Sequence, residues 1–328
     1  MARRAALASV SGAGLIAIAG LVVWLAGASR IVAAAQPAAV HAAAARRRAP
    51  RTPQPLPLPT DVHVPSYTPG HNPFRDGETL DYAASWIGVP AATARIVIMH
   101  NRTHPDWWSG QMWLETSAVA DVAYRMRDYF REDFDYAALR PDNIYILQHE
   151  NQRRDEWRVT FDRAARLVVA IKTSRHGKTT TRRFSGGDPL GPFSGAMMAL
   201  SQPLKPGDKL PFDVFSGGNR YVFSFNVTGR ERITTALGTF DTLKIEPWVL
   251  WLSQGSFRSQ ARATTLWVTD DDRHLPVRVE ADAFIGYVRA DLISFSGAPG
   301  GAGRSAGETP TGDGADADAP AGAHRNAP

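Results

Sequence analysis

Apolar and polar side chains alternate along the middle of the chain with a period of two. In ETLDYAASW, Leu80, Tyr82, Ala84 and Trp86 fall on one parity, and Thr79, Asp81, Ala83 and Ser85 on the other. Trp157, Val159 and Phe161 alternate with Arg158, Thr160 and Asp162, and Tyr221, Phe223, Phe225 and Val227 repeat the pattern in YVFSFNVT. After Gly238, Leu243 and Ile245 oppose Thr242, Lys244 and Glu246. Successive strand side chains point to opposite faces, so each segment buries one face and wets the other. That is the antiparallel signature, since a parallel sheet would show continuous apolar runs separated by helices.

The connectors agree with strands. FDRAARL (161–167) joins two strand-like runs, and SGGN (216–219) is a tight glycine turn before the Tyr221 strand. Helical spacing occurs in two places only. TSAVADVAYRMRDYF spaces Val119, Val122, Met126 and Tyr129 as a helix would, although Tyr124, Met126 and Asp128 equally fit a strand. DPLGPFSGAMMALSQ starts at Asp188, a capable cap, and carries Met197, Met198 and Leu200 as a short apolar segment.

About ten strands with one or two short helices predict an all-β, mainly antiparallel fold: a single large curved sheet, or a closed or near-closed β-barrel. Closure disposes of exposed sheet edges. A two-sheet β-sandwich is the alternative.

The two ends of the chain break the pattern. Behind a basic MARR start, no charge occurs from Ala5 to Ser29. At a helical rise of about 1.5 Å per residue this stretch is long enough to cross a hydrocarbon layer of roughly 30 Å. Residues 1–35 therefore read as an export segment, either a cleaved signal peptide or an apolar anchor helix in the inner membrane. Small-residue cleavage sites lie at Ala26–Ala28 and Ala33–Ala35. Arg30 and the ARRRAPR run argue against a retained anchor, because basic residues disfavour the translocated side. Residues 36–72 are rich in Pro, Ala and Arg and read as an extended linker. Residues 296–328 are Gly, Ala, Pro and Asp with nothing to bury, and read as a disordered tail. One β-rich domain spans 73–295, which is ample for a single core.

Composition narrows the chemistry. The chain has no cysteine, so thiol catalysis, disulfides, a lipoprotein anchor and Cys-type metal sites are excluded. The net charge of +5 owes much to Arg3, Arg4, Arg30, Arg46, Arg47, Arg48 and Arg51, outside the domain. Such a run beside a membrane fits a solvated linker or contact with anionic headgroups better than nucleic acid.

The motif with the strongest claim to chemistry is TDDDRHLP, where Asp270, Asp271 and Asp272 precede Arg273 and His274. Three adjacent carboxylates cannot all face one point, and a calcium loop needs alternating Asp, a glycine and a distal Glu. Strand parity resumes at Val277 and Val279, so the intervening residues read as a hairpin tip. His100 and His104 are four apart, but Asn101 and Pro105 mark a loop and no zincin carboxylate accompanies them. No nucleophile elbow, phosphate loop or dinucleotide fingerprint is present. No cofactor is expected.

Blocks in order along the chain resemble a bacterial family catalogued as domain of unknown function 3108. They are NPFRDGETLDYAASWIGVPAATARI, YRMRDYFREDFDYAALRP, DPLGPFSGAMMALSQPLKPGD, GRERITTALGTFDTLKIEP and LWVTDDDRHLPVRVEADAFIGYVRADL. Ala92 departs from the glycine often found there, which affects only a local bend. The resemblance implies an exported, β-rich envelope protein without assigned catalytic chemistry, and it carries no functional residues over.

Three functions follow as expectations. The first is a non-catalytic periplasmic protein that binds a lipid or other amphiphile inside its barrel, with Tyr82, Trp86, Tyr221, Phe223, Phe225 and Trp267 as candidate lining. The second is a scaffold or assembly factor for other envelope proteins. The third is a hydrolase using Glu78, Asp128 and Asp271. A filled interior favours the scaffold, an open cavity the binder, and a cleft gathering perturbed carboxylates the enzyme.

Overall fold

The computed structural model describes residues 54–55, 63–72, 74–253, 256–259, 264–282, 286–296 and 304–305. The expected N-terminal apolar helix, most of the linker and nearly all of the C-terminal tail lie outside them. Among the described residues no helix is long and apolar enough to cross a membrane.

The domain is built almost wholly of strands. They are β1 (Gln54–Pro55), β2 (Glu78–Trp86), β3 (Val89–His100), β4 (Trp107–Thr116), β5 (Arg127–Asp135) and β6 (Arg140–Glu150). Next come β7 (Arg153–Asp162), β8 (Leu167–Ser174), β9 (Thr179–Ser185), β10 (Lys209–Ser216), β11 (Asn219–Thr235) and β12 (Gly238–Ile245). The last six are β13 (Trp248–Ser253), β14 (Ser256–Ser259), β15 (Thr264–Thr269), β16 (Pro276–Asp282), β17 (Tyr287–Ser296) and β18 (Arg304–Ser305). Two short helices interrupt them, α1 (Ala118–Asp121) and α2 (Pro192–Leu200).

The strands form one large, mainly antiparallel sheet. Hairpin pairing runs from β2 without a break to β9. On its other side β2 pairs β17, and the order continues through β16 and β15 to β12. β12 lies along the C-terminal half of β11, while the N-terminal half of β11 sits between β10 and β13. β14 extends β13; β1 joins β9 in parallel, and β18 joins β17.

Among the described residues no ladder joins β9 to β10. That side is spanned by Leu190, which meets Val214 as a single parallel bridge. The expectation of a closed or near-closed barrel is corrected accordingly: the strands form one open sheet. β9 stops where Gly186 and Gly187 take φ of 88° and 77°, and Pro189 then has no N–H to give a ladder. The two-sheet alternative is not found, because the pairing is continuous.

The core lies on the face that holds α2. All nine residues of this helix are buried, consistent with PFSGAMMAL having no charge on any side. Pro192 occupies the first turn, and Ser194 Oγ accepts the N–H of Gly191 at 2.9 Å, so the cap is Gly191, three residues after the expected Asp188. α1 is a single turn capped by Ser117, whose Oγ accepts the Ala120 N–H at 3.3 Å. From Arg127 onward the strand reading of TSAVADVAYRMRDYF holds. The end of the linker stretch packs on the core: Gly70 donates its N–H to Ser201 Oγ (3.1 Å), and the Tyr67 ring lies 4.4 Å from that of Phe212.

Candidate functional site

The interior is where a barrel-like protein would hold an amphiphile, and its lining follows from strand parity. Tyr82 is buried, and its hydroxyl donates to the Pro276 carbonyl at 2.9 Å, tying β2 to the start of β16. Tyr221, Phe223 and Phe225 are buried along one face of β11, with the Phe223 and Phe225 rings 5.1 Å apart and Phe225 edge-on to Phe212 at 6.2 Å. These four belong to one continuous apolar core. Trp86 stands apart, 45% exposed as the last residue before the Ile87–Gly88 turn. Trp267 is buried and belongs to the same core, although its strand parity is opposite to that of Leu266 and Val268. It lies between Lys244 and Arg278 and donates from Nε1 to Glu231 at 3.0 Å.

The helix packs against the face that these strands bury. Phe193 packs 5.4 Å from Phe130, and it can approach β4 only because residue 110 is glycine: a Cβ there would sit 2.5 Å from the Phe193 ring. Between α2 and the Leu80, Ile96 and Ile98 side chains remains a void of about 10 Å³, too small for more than one water.

One carboxylate fixes this plug. Glu132 on β5 is fully buried and accepts the N–H groups of Phe193 at 2.7 Å and Ser194 at 3.1 Å, two of the four donors a helix start leaves unpaired. Burial pushes its carboxyl up to about 7, against those hydrogen bonds. Sequence reasoning passed over Glu132. Its signal was parity: Phe130, Glu132 and Phe134 share one face, so an acid stands among core aromatics. Next to it Asp133 pairs with Ser109 and, at 2.9 Å, with Arg131.

The C-terminal end of α2 is held by the hairpin between β15 and β16. His274 Nδ1 meets the Leu200 carbonyl at 2.7 Å, and Arg273 pairs with the fully buried Glu78, which also accepts the Arg75 N–H. Burial raises the Glu78 carboxyl even beside Arg273. The three aspartates diverge, as a hairpin tip requires. Asp270 pairs with Arg230 at 2.5 Å, Asp271 accepts from Thr269 Oγ1 and the Arg273 N–H, and Asp272 is exposed. Among the described residues no cluster of three or more His, Asp and Glu could hold a metal ion.

The hydrolase candidates are not brought together as a set. Glu78 is bound to Arg273, Asp271 to its own turn, and Asp128 on β5 accepts the His149 N–H at 2.8 Å. Burial, and then the charge of Glu150, pushes Asp128 up to about 7, while Glu150 is itself paired with Arg153 at 3.6 Å. Both carboxylates are thus occupied by partners within the fold.

A family model described as "Protein of unknown function (DUF3108)" matches residues 81–293. No curated protein matches the chain. Among solved structures, a β-barrel-like protein of domain of unknown function DUF1849 from Brucella abortus is 8% identical, with a TM-score of 0.45. It covers 67% of this chain and 95% of its own. A protein described as a candidate lipoprotein from Parabacteroides distasonis is 11% identical, covers 70% and 98%, and has a TM-score of 0.29. A candidate exported protein from Bacteroides fragilis is 10% identical, covers 69% and 98%, and has a TM-score of 0.26.

Proposed function

The chain belongs to the DUF3108 family of proteins of unknown function, and from that premise we propose that it is an exported, non-catalytic envelope scaffold. Its work is done on the outer surface of a filled β-structure, against other envelope proteins. The observation that carries this reading is α2: nine residues buried on all sides, leaving a void of about 10 Å³ where an amphiphile would need hundreds.

In this reading α2 is packed against several parts of the one sheet. The helix touches β5 through Glu132 and Phe130, the β2–β3 wall through Leu80 and Ile98, and β10 where Val214 comes within 3.3 Å of a Cβ built at Gly195. A helix gripped from opposite parts of one sheet is a wedge, and its removal would expose an apolar lining to water. Export rests on the basic start and uncharged Ala5–Ser29 run, which would place the domain in the periplasm, free after cleavage or tethered to the inner membrane.

The test is native mass spectrometry on the full chain recovered from the periplasm, joined to crosslinking in the intact envelope. The expected result is a bare protein mass and discrete protein–protein adducts. A stoichiometric amphiphile co-purifying with the folded chain would overturn the scaffold in favour of an interior binder.

A further inference from the structure

The exposed apolar side chains are not scattered. Among the described residues six large ones are well exposed, and five of them belong to two neighbouring connections: Trp86 (45%), Ile87 (51%), Val89 (53%), Val119 (71%) and Val122 (90%). The first three form the tip of the β2–β3 hairpin; Val119 lies in α1 and Val122 directly follows it, in the β4–β5 connection. Backbone bonds hold the connections together, since Ser117 donates its N–H to the Ala91 carbonyl at 2.8 Å and its Oγ to the Pro90 carbonyl at 3.0 Å. Ile87 sits at φ 50°, where a β-branched residue is strained and Asn or Gly would be relaxed and soluble. The sequence thus keeps an apolar side chain on a turn at a conformational cost.

The row of tips continues on the same end of the sheet and becomes basic. Arg125 and Asn151 exchange bonds of 2.9 Å and 2.7 Å, linking the α1 connection to the β6–β7 tip. Arg175 then donates to the Gln152 carbonyl at 3.0 Å, linking the β6–β7 tip to the β8–β9 tip. Along this row Arg125, Arg154, Arg175 and Lys178 are exposed, and none has an ion-pair partner within 4.0 Å among the described residues. The acids nearby are largely neutralised: Arg127 pairs with Asp121 at 2.6 Å and reaches Glu115 at 3.9 Å, and Glu150 pairs with Arg153, while Asp282 is exposed.

We propose that this end of the domain docks on an anionic bilayer, with Trp86, Ile87, Val89, Val119 and Val122 entering the headgroup–acyl boundary and the four cations resting on the phosphates. Trp and aliphatic tips beside Lys and Arg are the chemistry that boundary accepts. A second copy of the chain is disfavoured as occupant, because face-to-face docking would bring the two cationic rows together. The chain also brings the domain within reach of a membrane. The uncharged Ala5–Ser29 run is joined to β1 at Gln54 by 24 residues rich in Pro and Ala, a length of sequence that could reach roughly 75 Å at about 3.1 Å per residue. The docking reading goes beyond the scaffold proposal and survives its failure, since it concerns lipid and not protein partners.

The absence of native cysteine allows a site-specific test in the full chain. Val122→Cys, and as a control Ala137→Cys in the exposed β5–β6 turn on the opposite end, each carry an environment-sensitive fluorophore. The vesicles are phosphatidylcholine, with or without phosphatidylglycerol, and contain a brominated lipid quencher. The expected result is a blue shift and quenching at 122 and not at 137, dependent on phosphatidylglycerol. Replacing Arg125, Arg154, Arg175 and Lys178 together by Gln should weaken the effect about tenfold or more. A label at 122 that stays in water while the chain binds vesicles through its N-terminal segment overturns the proposal, as does equal quenching at 137. Quenching indifferent to phosphatidylglycerol also overturns it. A concentration-dependent blue shift without lipid would assign the surface to a second copy.

Discussion

Glu132 offers the sharpest test of how the interior is built. Replacing it by Ala leaves the Phe193 and Ser194 N–H groups buried without an acceptor, and each such donor costs about 1–3 kcal/mol. With the space left behind, the variant should lose roughly 3–5 kcal/mol under conditions where the wild-type carboxyl is protonated. Glu132→Gln keeps one acceptor and the shape, and should lose about 1–2 kcal/mol there. The pH dependence then separates a buried acid from a mere space-filler. The carboxyl ionises at about 7 in the fold against an ordinary value of 4.5. Between those values the folded protein holds a proton that the unfolded chain has released. The stability this group contributes is therefore complete below the unfolded value and is lost as pH rises through the folded one, by up to about 3 kcal/mol. Gln cannot titrate, so its disadvantage should shrink, or reverse, between about pH 5 and about pH 8. Urea unfolding followed by tryptophan fluorescence at both ends of that range reads the difference, and subtracting the variant cancels Asp128, which shifts the same way. Parallel curves for wild type and Gln across pH, or an Ala variant that loses less than about 1 kcal/mol at the acidic end, would refute the reasoning.

Gly110→Ala should cost about 1–3 kcal/mol in the same assay, because its Cβ would meet the Phe193 ring at 2.5 Å. At the Asp-rich hairpin, Asp271→Asn keeps the oxygen that Thr269 and the Arg273 N–H use and should cost under about 1 kcal/mol, whereas Val279→Asp places a charge in the core at a cost of several kcal/mol. Equal damage from the two, or a fall in melting temperature with chelator, would mean a bound cation after all. Deleting residues 1–62 should leave cooperative unfolding unchanged. Extending the deletion through Asn72 should lower the midpoint measurably, since Tyr67 and Gly70 leave the core with it.

Period-two alternation determined the strands, because in a half-buried sheet the parity of a side chain decides whether it meets water. The hairpin at Asp270–Asp272 was legible for the same reason, the turn being flanked by clear parity on both sides; the strands end at Thr269 and resume at Pro276. Family membership was legible too, as ordered blocks. Parity could not say what lies opposite a buried face. Tyr82, Tyr221, Phe223 and Phe225 are inward as the alternation predicts, but the same pattern fits a lined cavity and a wall against a helix. That α2 covers the buried face was decided in three dimensions, by Gly110 admitting Phe193 and by Glu132 on β5, 61 residues before Phe193, reaching the helix start. Trp86 keeps its parity and is still half exposed, because it sits at the tip of its hairpin. Nor could sequence join that tip to Val119 and Val122, or both to Arg154 and Arg175. Their assembly on one end follows from the up-and-down order of the strands, a long-range property that no local window of sequence contains.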